Sequence, residues 1–267
     1  MAKEEAEPQA PRKKIFIIGA GPSGLVALKE VLEAGCFDPI CVDAKSKIGG
    51  VFSVSYDELH TTTTNMFMAF SDFPPKESIR YWSKDEYIQY LNDYIDHFQL
   101  RKYIKLNTAV KDCILDKDTE RWKIVTKSWA SRFGEMRMGS IVFSQEDLDT
   151  NFSFDDKRAS YAFRQNVSPG FTYDADYLIV ASGTNQVAKV PTFPHINPDV
   201  EIVHSADFTN AEEICEGKRV LIVGNGESAS DVAAQSTDVA EKVSKSLSTR
   251  FNKLSQRLRM SCTRTYY

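Results

Sequence analysis

The chain has 267 residues, enough for one large or two modest domains, with 42% hydrophobic and 26% charged residues, an ordinary globular balance. Its formal net charge of −4 excludes an overall electrostatic drive toward nucleic acid or an anionic membrane. No run approaches the roughly 18 apolar residues of a membrane span, and the polar residues 1–13, with Pro8 and Pro11, lack the apolar core of a secretory signal and read as a disordered leader in a cytoplasmic protein.

The first ordered element is Ile15-Phe16-Ile17-Ile18, four apolar residues between basic residues and glycine, which predicts a parallel strand buried on both faces. Gly19, Gly21 and Gly24 follow with the spacing G-x-G-x-x-G. Gly19 allows a sharp turn, Gly21 lets a pyrophosphate approach the backbone, and Gly24 lets the next helix pack closely on the strand. That helix runs through Leu25 to Ala34, stops at Gly35, and leads into a second strand, Ile40-Cys41-Val42-Asp43. Its N-terminus offers free N–H groups and a partial positive charge to a pyrophosphate. Asp43 lies nineteen positions after Gly24, near the ~20 expected of a ribose-binding carboxylate.

The five cysteines, Cys36, Cys41, Cys113, Cys215 and Cys262, are odd in number and scattered, which fits a reducing compartment and no disulfide framework. Cys36 and Cys41 have the C-x4-C spacing of a redox pair. Cys41 falls inside the second strand, however, and Cys36 at the end of the preceding helix, away from a bound cofactor's reactive ring. The histidines make no metal-ligand spacing, and no metal is expected.

Past Asp43, Gly49-Gly50 in a loop point to close backbone approach to a ligand, and Phe52 suits a ring cover or a core position equally. Thr61 to Asn65 form a polar loop, and Pro74-Pro75 close off any helix there. Ser83 to Phe98 reads as the clearest helix: Ser83 and Glu86 make a capping box, and Tyr87, Ile88, Leu91, Tyr94, Ile95 and Phe98 share one face. Ile104 to Ile114, Arg121 to Lys127 and Gly139 to Phe143 read as short strands, and Ser144 to Gly170 as a polar excursion. Asp174 to Thr184 returns to buried-strand character and ends in small residues, before a stiff connection carrying Pro191, Pro194 and Pro198.

Arg219-Val220-Leu221-Ile222-Val223 then repeats the opening design, with Gly224, Asn225, Gly226, Glu227 and Ser228 leading into a helix and Ala229 in place of the third glycine. Two dinucleotide fingerprints are far more specific than one. They imply two dinucleotides and redox chemistry between them.

Together these residues resemble the flavin-containing monooxygenase family. Gly19-Ala20-Gly21-Pro22-Ser23-Gly24 is similar to its FAD motif, Ile48-Gly49-Gly50-Val51-Phe52 to its I-G-G-x-W segment with Phe in place of Trp, and Thr64-Asn65-Met66 with Phe70-Ser71-Asp72-Phe73-Pro74 to its T-N…F-x-D-F-P segment. Ala181-Ser182-Gly183-Thr184 resembles its interdomain linker, and Gly224 to Asp231 its NADPH motif G-x-G-x-S-A-x-D. The family's F-x-G-x-x-x-H-S motif falls on Pro198 to Ser205, where only His204 and Ser205 match.

The resemblance implies an α/β fold, with a Rossmann-like FAD-binding domain over 14–180, incomplete without a C-terminal return, and a partial Rossmann-like NADPH-binding domain over 181–243. It implies FAD contacts at Gly19, Gly21, Pro22, Ser23, Gly24, Asp43, Lys45, Gly50, Val51, Phe52, Thr64, Asn65, Val110, Ser182, Gly183 and Thr184. NADPH contacts are implied at Gly224, Asn225, Gly226, Glu227, Ser228, Ala229 and Asp231. Asn65 is the candidate catalytic residue, placed near the flavin ring. The implied chemistry is N- or S-oxygenation of a small organic substrate by O2 through a C4a-hydroperoxyflavin. No nucleic acid or membrane span is implied, and a homo-oligomer is allowed. Residues 244–267 read as an irregular basic tail. Its early stop suggests a C-terminally truncated chain, and Arg250 is a candidate for the NADPH 2′-phosphate. Two alternatives stand: a catalytically impaired flavoprotein fragment, and a flavin-dependent disulfide reductase-like enzyme, which would need a redox cysteine pair.

Overall fold

The computed structural model describes residues 11–129, 167–168, 170–184, 188–190, 197 and 199–246. They fall into two compact units, one drawn from residues up to 53, 88–137 and 143–186, the other from 54–87, 138–142 and 187 onward. Residues 54–87, read from sequence as part of the first domain, thus cluster with the second fingerprint.

The first unit is built on β1 (Lys13–Ile18), α1 (Pro22–Glu33) and β2 (Phe37–Val42). β1 and β2 are parallel, with Ile18 opposite Val42. Phe16 and Ile17 point to opposite faces of β1 and both are fully buried, so both faces of the strand are covered. Pro22 opens α1, where its missing N–H costs nothing, and Gly35 at φ 73° follows its end, the left-handed position glycine fills most easily.

Two stretches that read as single strands are each divided between two sheets. Asn107, at φ 52°, breaks the first. Before it, β3 (Ile104–Lys105) pairs with β2 in the parallel sheet. After it, β4 (Thr108–Asp116) enters an antiparallel sheet with β5 (Arg121–Trp129) and β6 (Val167–Ser168). Asp176 divides the second into β7 (Thr172–Ala175), paired with β5, and β8 (Tyr177–Val180), paired with β1. The parallel order is therefore β3-β2-β1-β8. Phe16, Val42, Ile124 and Ala175 form the core between the two sheets.

The second unit holds α2 (Asn65–Met68), α4 (Ala211–Cys215), β9 (Arg219–Val223), α5 (Glu227–Ser236) and β10 (Lys242–Ser246). The helix between, α3 (Lys84–His97), starts at the expected capping box: the Ser83 N–H donates to Glu86 Oε2 at 2.8 Å and the Glu86 N–H to Ser83 Oγ at 3.3 Å. β9 and β10 are parallel, with Val223 opposite Ser246. Val220 and Ile222 pack on a core of Tyr56, Phe208, Ala211, Cys215 and Val232. β10 runs to Ser246, three residues into the stretch read as an irregular tail.

The α/β class with a parallel sheet is as expected. Among the described residues no helix is long and apolar enough to cross a membrane. The expected strand Gly139–Phe143, most of the 144–170 excursion, the three connecting prolines, and the tail beyond Ser246 with Arg250 lie outside the described residues.

Candidate functional site

In the first unit three chain segments meet at the carboxyl end of the parallel sheet. The Gly19 N–H donates to the Val42 carbonyl at 2.7 Å, and the Ala181 N–H to the Ile18 carbonyl at 2.8 Å. Gly19 sits at φ 105°, and a Cβ there would collide with the Ala181 carbonyl. A Cβ on Gly24 would collide with the Gly19 carbonyl. These two glycines are therefore demanded by the protein itself. Gly21 differs. Its backbone is ordinary, at φ −77°, and a Cβ would lie 3.5 Å from the Gly50 Cα, a normal contact. No protein group requires glycine there, which leaves the open space above the turn as the reason for it. α1 begins at Pro22, which has no N–H, and has no side-chain cap, so the Ser23 and Gly24 N–H groups of its first turn have no capping side chain.

Asp43 braces this turn. Its Oδ2 accepts the Ala20 N–H and its Oδ1 the Lys45 N–H, each at 2.8 Å. One lone pair on each oxygen remains for a ribose hydroxyl. The Gly49 N–H donates to the Ala20 carbonyl at 3.0 Å, and the Lys45 ammonium to the Gly50 carbonyl at 3.2 Å. Gly50 and Lys45 thus hold the loop against the turn. Val51 is exposed and Phe52 half-buried on the short helix that follows. Val110 packs on the Phe16–Val42 core. Ser182, Gly183 and Thr184 are exposed just past β8, beside Ala181, whose carbonyl shapes the turn, a close approach that the small residues at this strand end allow.

The second turn in the other unit has the same register. The Gly224 N–H donates to the Ser246 carbonyl at 2.9 Å, and Gly224 sits at φ 134°. A Cβ on Gly224 would lie 3.5 Å from the Ala229 Cβ, so a methyl fits at the third position, where Gly24 in the first turn admits none. Gly226 caps α5 at φ −76° and nothing lies within 4 Å of where its Cβ would be. Asn225, Glu227 and Ser228 are exposed around it. Asp231 instead turns inward, accepting the Tyr56 hydroxyl at 2.6 Å. Burial first, and this bond next, push the Tyr56 phenol above its ordinary range. Tyr56 and Asp231 stand 175 positions apart, and no sequence spacing links them.

Asn65 is fully buried, and its amide is engaged by its own loop. Nδ2 donates to the Ser78 carbonyl at 3.0 Å, while Oδ1 accepts the Met66 N–H at 3.0 Å and the Arg80 N–H at 3.1 Å. Thr64, expected at the cofactor, precedes α2 without capping it. Beside them Glu77 accepts the Trp82 indole N–H at 2.6 Å, and that bond holds its carboxyl below the usual range.

The cysteine pair is separated by environment. Cys41 is buried in β2, donating to the Gly19 carbonyl at 3.4 Å, and burial, with Asp43 nearby, pushes its thiol up to about 12. Cys36 is exposed, and both are free thiols.

Residues 12–136 match the flavin-binding monooxygenase-like family, and residues 157–261 the pyridine nucleotide-disulphide oxidoreductase family. The chain is 32% identical over 235 residues to a 4-hydroxybenzoate brominase (decarboxylating) of Marinomonas mediterranea, covering 86% of this chain and 38% of that protein. It is 26% identical over 248 residues to Flavin-containing monooxygenase 1 of Homo sapiens, covering 86% and 39%. The chain thus spans about two fifths of the length of the curated relatives it matches. A flavin-containing monooxygenase structure from Stenotrophomonas maltophilia shares its fold, with TM-score 0.64 at 20% identity, covering 90% of this chain and 59% of that one.

Proposed function

Over residues 12–136 this chain belongs to the flavin-binding monooxygenase-like family, and on that premise we propose that it holds FAD at Gly19–Gly24 and NADPH at Gly224–Ala229 and serves the oxygenation of a small organic substrate at nitrogen or sulfur. One observation carries the reading. Each of two parallel strand–turn–helix units opens an uncapped helix N-terminus beside a glycine, Gly21 or Gly226, where the protein's own packing leaves room for a Cβ. Such a position keeps glycine for a ligand.

The two cradles suit different nucleotides. In the first, Asp43 follows β2 and presents a carboxylate to ribose hydroxyls. In the second, the residue after Ser246 at the end of β10 is Leu247, with no acid to repel a 2′-phosphate. When bound, FAD supplies oxygen activation with electrons drawn from NADPH. The chain's residues do the remaining work. The α1 N–H groups hold the pyrophosphate, Asp43 fixes the ribose, and Gly50 keeps the covering loop one backbone thickness from the turn. Asn65 acts as a positioning residue, pinning the 78–80 segment. Asp231 holds Tyr56 and so fixes α5. The free cysteines fit work in the cytoplasm.

Disulfide reductase chemistry finds no support at Cys41, whose buried, strongly raised thiol is a poor nucleophile at neutral pH. The test is reconstitution of the full chain with FAD, followed by anaerobic NADPH addition and an oxygen-electrode assay with amine and sulfide substrates. The flavin absorbance should appear on binding, bleach with NADPH and return with O2. Protein that stays colourless after reconstitution overturns the reading.

A further inference from the structure

The two glycine turns differ at their middle residue. In the first it is Ala20, fully buried, with its N–H held by Asp43. In the second it is Asn225, which is exposed, and Asn225-Gly226 is the only Asn-Gly pair in the sequence. A glycine in second place leaves its main-chain nitrogen uncrowded, so that nitrogen can close on the carbon of the preceding carboxamide. Both groups are unengaged here. Among the described residues, neither the Asn225 carboxamide nor the Gly226 N–H has a hydrogen-bond partner. The Gly226 carbonyl, by contrast, is held by the Ser230 N–H at 3.1 Å and the Ser230 hydroxyl at 3.2 Å. Nothing lies within 4 Å of where a Gly226 Cβ would be, so the space a closing ring needs is open. Other asparagines present the opposite case. Asn65 is buried with its amide bonded three times, and Asn210 accepts the Glu213 N–H at 2.8 Å as the cap of α4.

We infer that Asn225 is a self-modifying residue: its carboxamide closes onto the Gly226 nitrogen, and the charged product shuts the second cradle to a dinucleotide. The shutting rests on the second turn being a dinucleotide site. In the first stage a bond forms between the Gly226 nitrogen and Asn225 Cγ, the bond from Cγ to Nδ2 breaks, and ammonia leaves carrying the Gly226 proton. In the second stage water opens the cyclic imide at one carbonyl or the other, leaving aspartate or isoaspartate at position 225. Nothing is oxidised or reduced. The uncapped N-terminus of α5 favours both stages, because its partial positive charge stabilises the attacking nitrogen as it loses its proton, and then the new carboxylate. That carboxylate stands where the turn would meet a pyrophosphate and repels it as a like charge. Isoaspartate also lengthens the main chain between Gly224, whose N–H bonds the Ser246 carbonyl, and Gly226. A dinucleotide seated on the turn covers the reacting groups, so the empty site ages and the loaded one is protected. Ala20 has no carboxamide, and the first cradle is exempt.

The experiment ages the full chain at mildly alkaline pH, with and without saturating NADP+. Peptide mass spectrometry and enzymatic isoaspartate methylation then map the products, and calorimetry measures NADP+ affinity. Asn225 should turn acidic while Asn65 and Asn210 keep their amides, and NADP+ should slow the change. Gly226→Ala, whose methyl has room in the fold, should largely stop it. Asn225→Asp, made directly, should weaken NADP+ by about tenfold with the melting temperature unchanged. Asn225→Gln should hold through ageing whatever NADP+ affinity it starts with. An Asn225 amide that lasts as long as those of Asn65 and Asn210 overturns the inference and leaves the cradle standing. A converted protein that binds NADP+ as the fresh one does overturns the shutting. If fresh wild type binds no NADP+, the dinucleotide reading of the second turn fails, and the peptide map alone decides whether Asn225 modifies itself.

Discussion

Three glycines with one motif spacing have different reasons to be glycine, and the difference is measurable. Gly24→Ala drives a methyl into the Gly19 carbonyl, and Gly19→Ala adds strain at φ 105° to a clash with Ala181. Each should cost about 1–3 kcal/mol of stability by chemical denaturation. Gly21→Ala meets only a 3.5 Å contact with the Gly50 Cα. It should leave stability within about 0.5 kcal/mol of wild type yet weaken FAD binding at least tenfold in a flavin fluorescence titration. A stable Gly21→Ala protein that binds FAD normally would remove the turn from the binding site. The motif spacing in the sequence located all three, but only the carbonyls of Ala181 and Gly19, one of them far along the chain, tell the structural glycines from the ligand one. The thiol beneath this turn gives a second test. Unfolded, Cys41 ionises near the ordinary 9.0, whereas folded it holds its proton to about 12. Between those values the folded state binds the extra proton, so stability falls as pH rises from about 9, by about 1.4 kcal/mol per pH unit for this one group. Subtracting the denaturant midpoints of Cys41→Ala from those of wild type at pH 8 and pH 10 isolates that slope, and parallel midpoints would refute it.

At the scale of elements, glycine motifs and a capping box located α1, α5 and α3, α2 falls in a stretch that reads as a polar loop and α4 in one with no expected element, and single residues decided the strands. Ser83 and Glu86 announced α3, because a capping box is a local pattern with a local cause. Asn107 and Asp176 each divide an apolar run between two sheets. Neither looks like a break when only hydrophobicity is read, since both flanking halves are strand-like. The loop around Asn65 shows the same limit. Threonines and an amide read as a polar loop. The structure gives Asn65 to the 78–80 backbone, thirteen to fifteen residues away. Asn65→Ala would remove the partner of the Met66 and Arg80 N–H groups and of the Ser78 carbonyl at a part-buried site, at a cost on the order of 1–2 kcal/mol. Asn65→Asp keeps both acceptors but loses the donor to Ser78 and sets a carboxylate beside Glu77. It should be at least as destabilising. Thermal melts of the two variants check this, and wild-type melting in both would show the residue free for chemistry instead.

For the whole molecule, the family resemblance in the sequence was carried by short motifs, each complete within about a dozen residues. The partition of the chain was not legible, because residues 54–87 fold with the second fingerprint through contacts such as Tyr56–Asp231 that no local pattern encodes. This partition makes the two nucleotides separable probes. On the proposed assignment of FAD to Gly19–Gly24 and NADPH to Gly224–Ala229, the two nucleotides fall in different compact units, so each should stabilise its own, by about 2.7 kcal/mol at a hundredfold excess over Kd. Amide hydrogen exchange resolves where that stabilisation falls. FAD should slow exchange at Ala20, Ser23, Gly24 and Lys45, whose N–H groups lie in the first turn and its Asp43 brace. NADP+ should slow exchange at Asn225, Gly226 and Ser228, in the second. Protection of the second turn by NADP+ should also extend to Tyr56 and Asp57, since Asp231 joins α5 to that segment and the Asp57 N–H bonds the Thr209 carbonyl at 2.9 Å. Tyr56→Phe removes the first link and keeps the second. In that variant NADP+ should still protect the turn but pass less protection to residues 56 and 57. If each nucleotide instead slowed exchange at the other's turn, the assignment of FAD to Gly19–Gly24 and NADPH to Gly224–Ala229 would have to be exchanged.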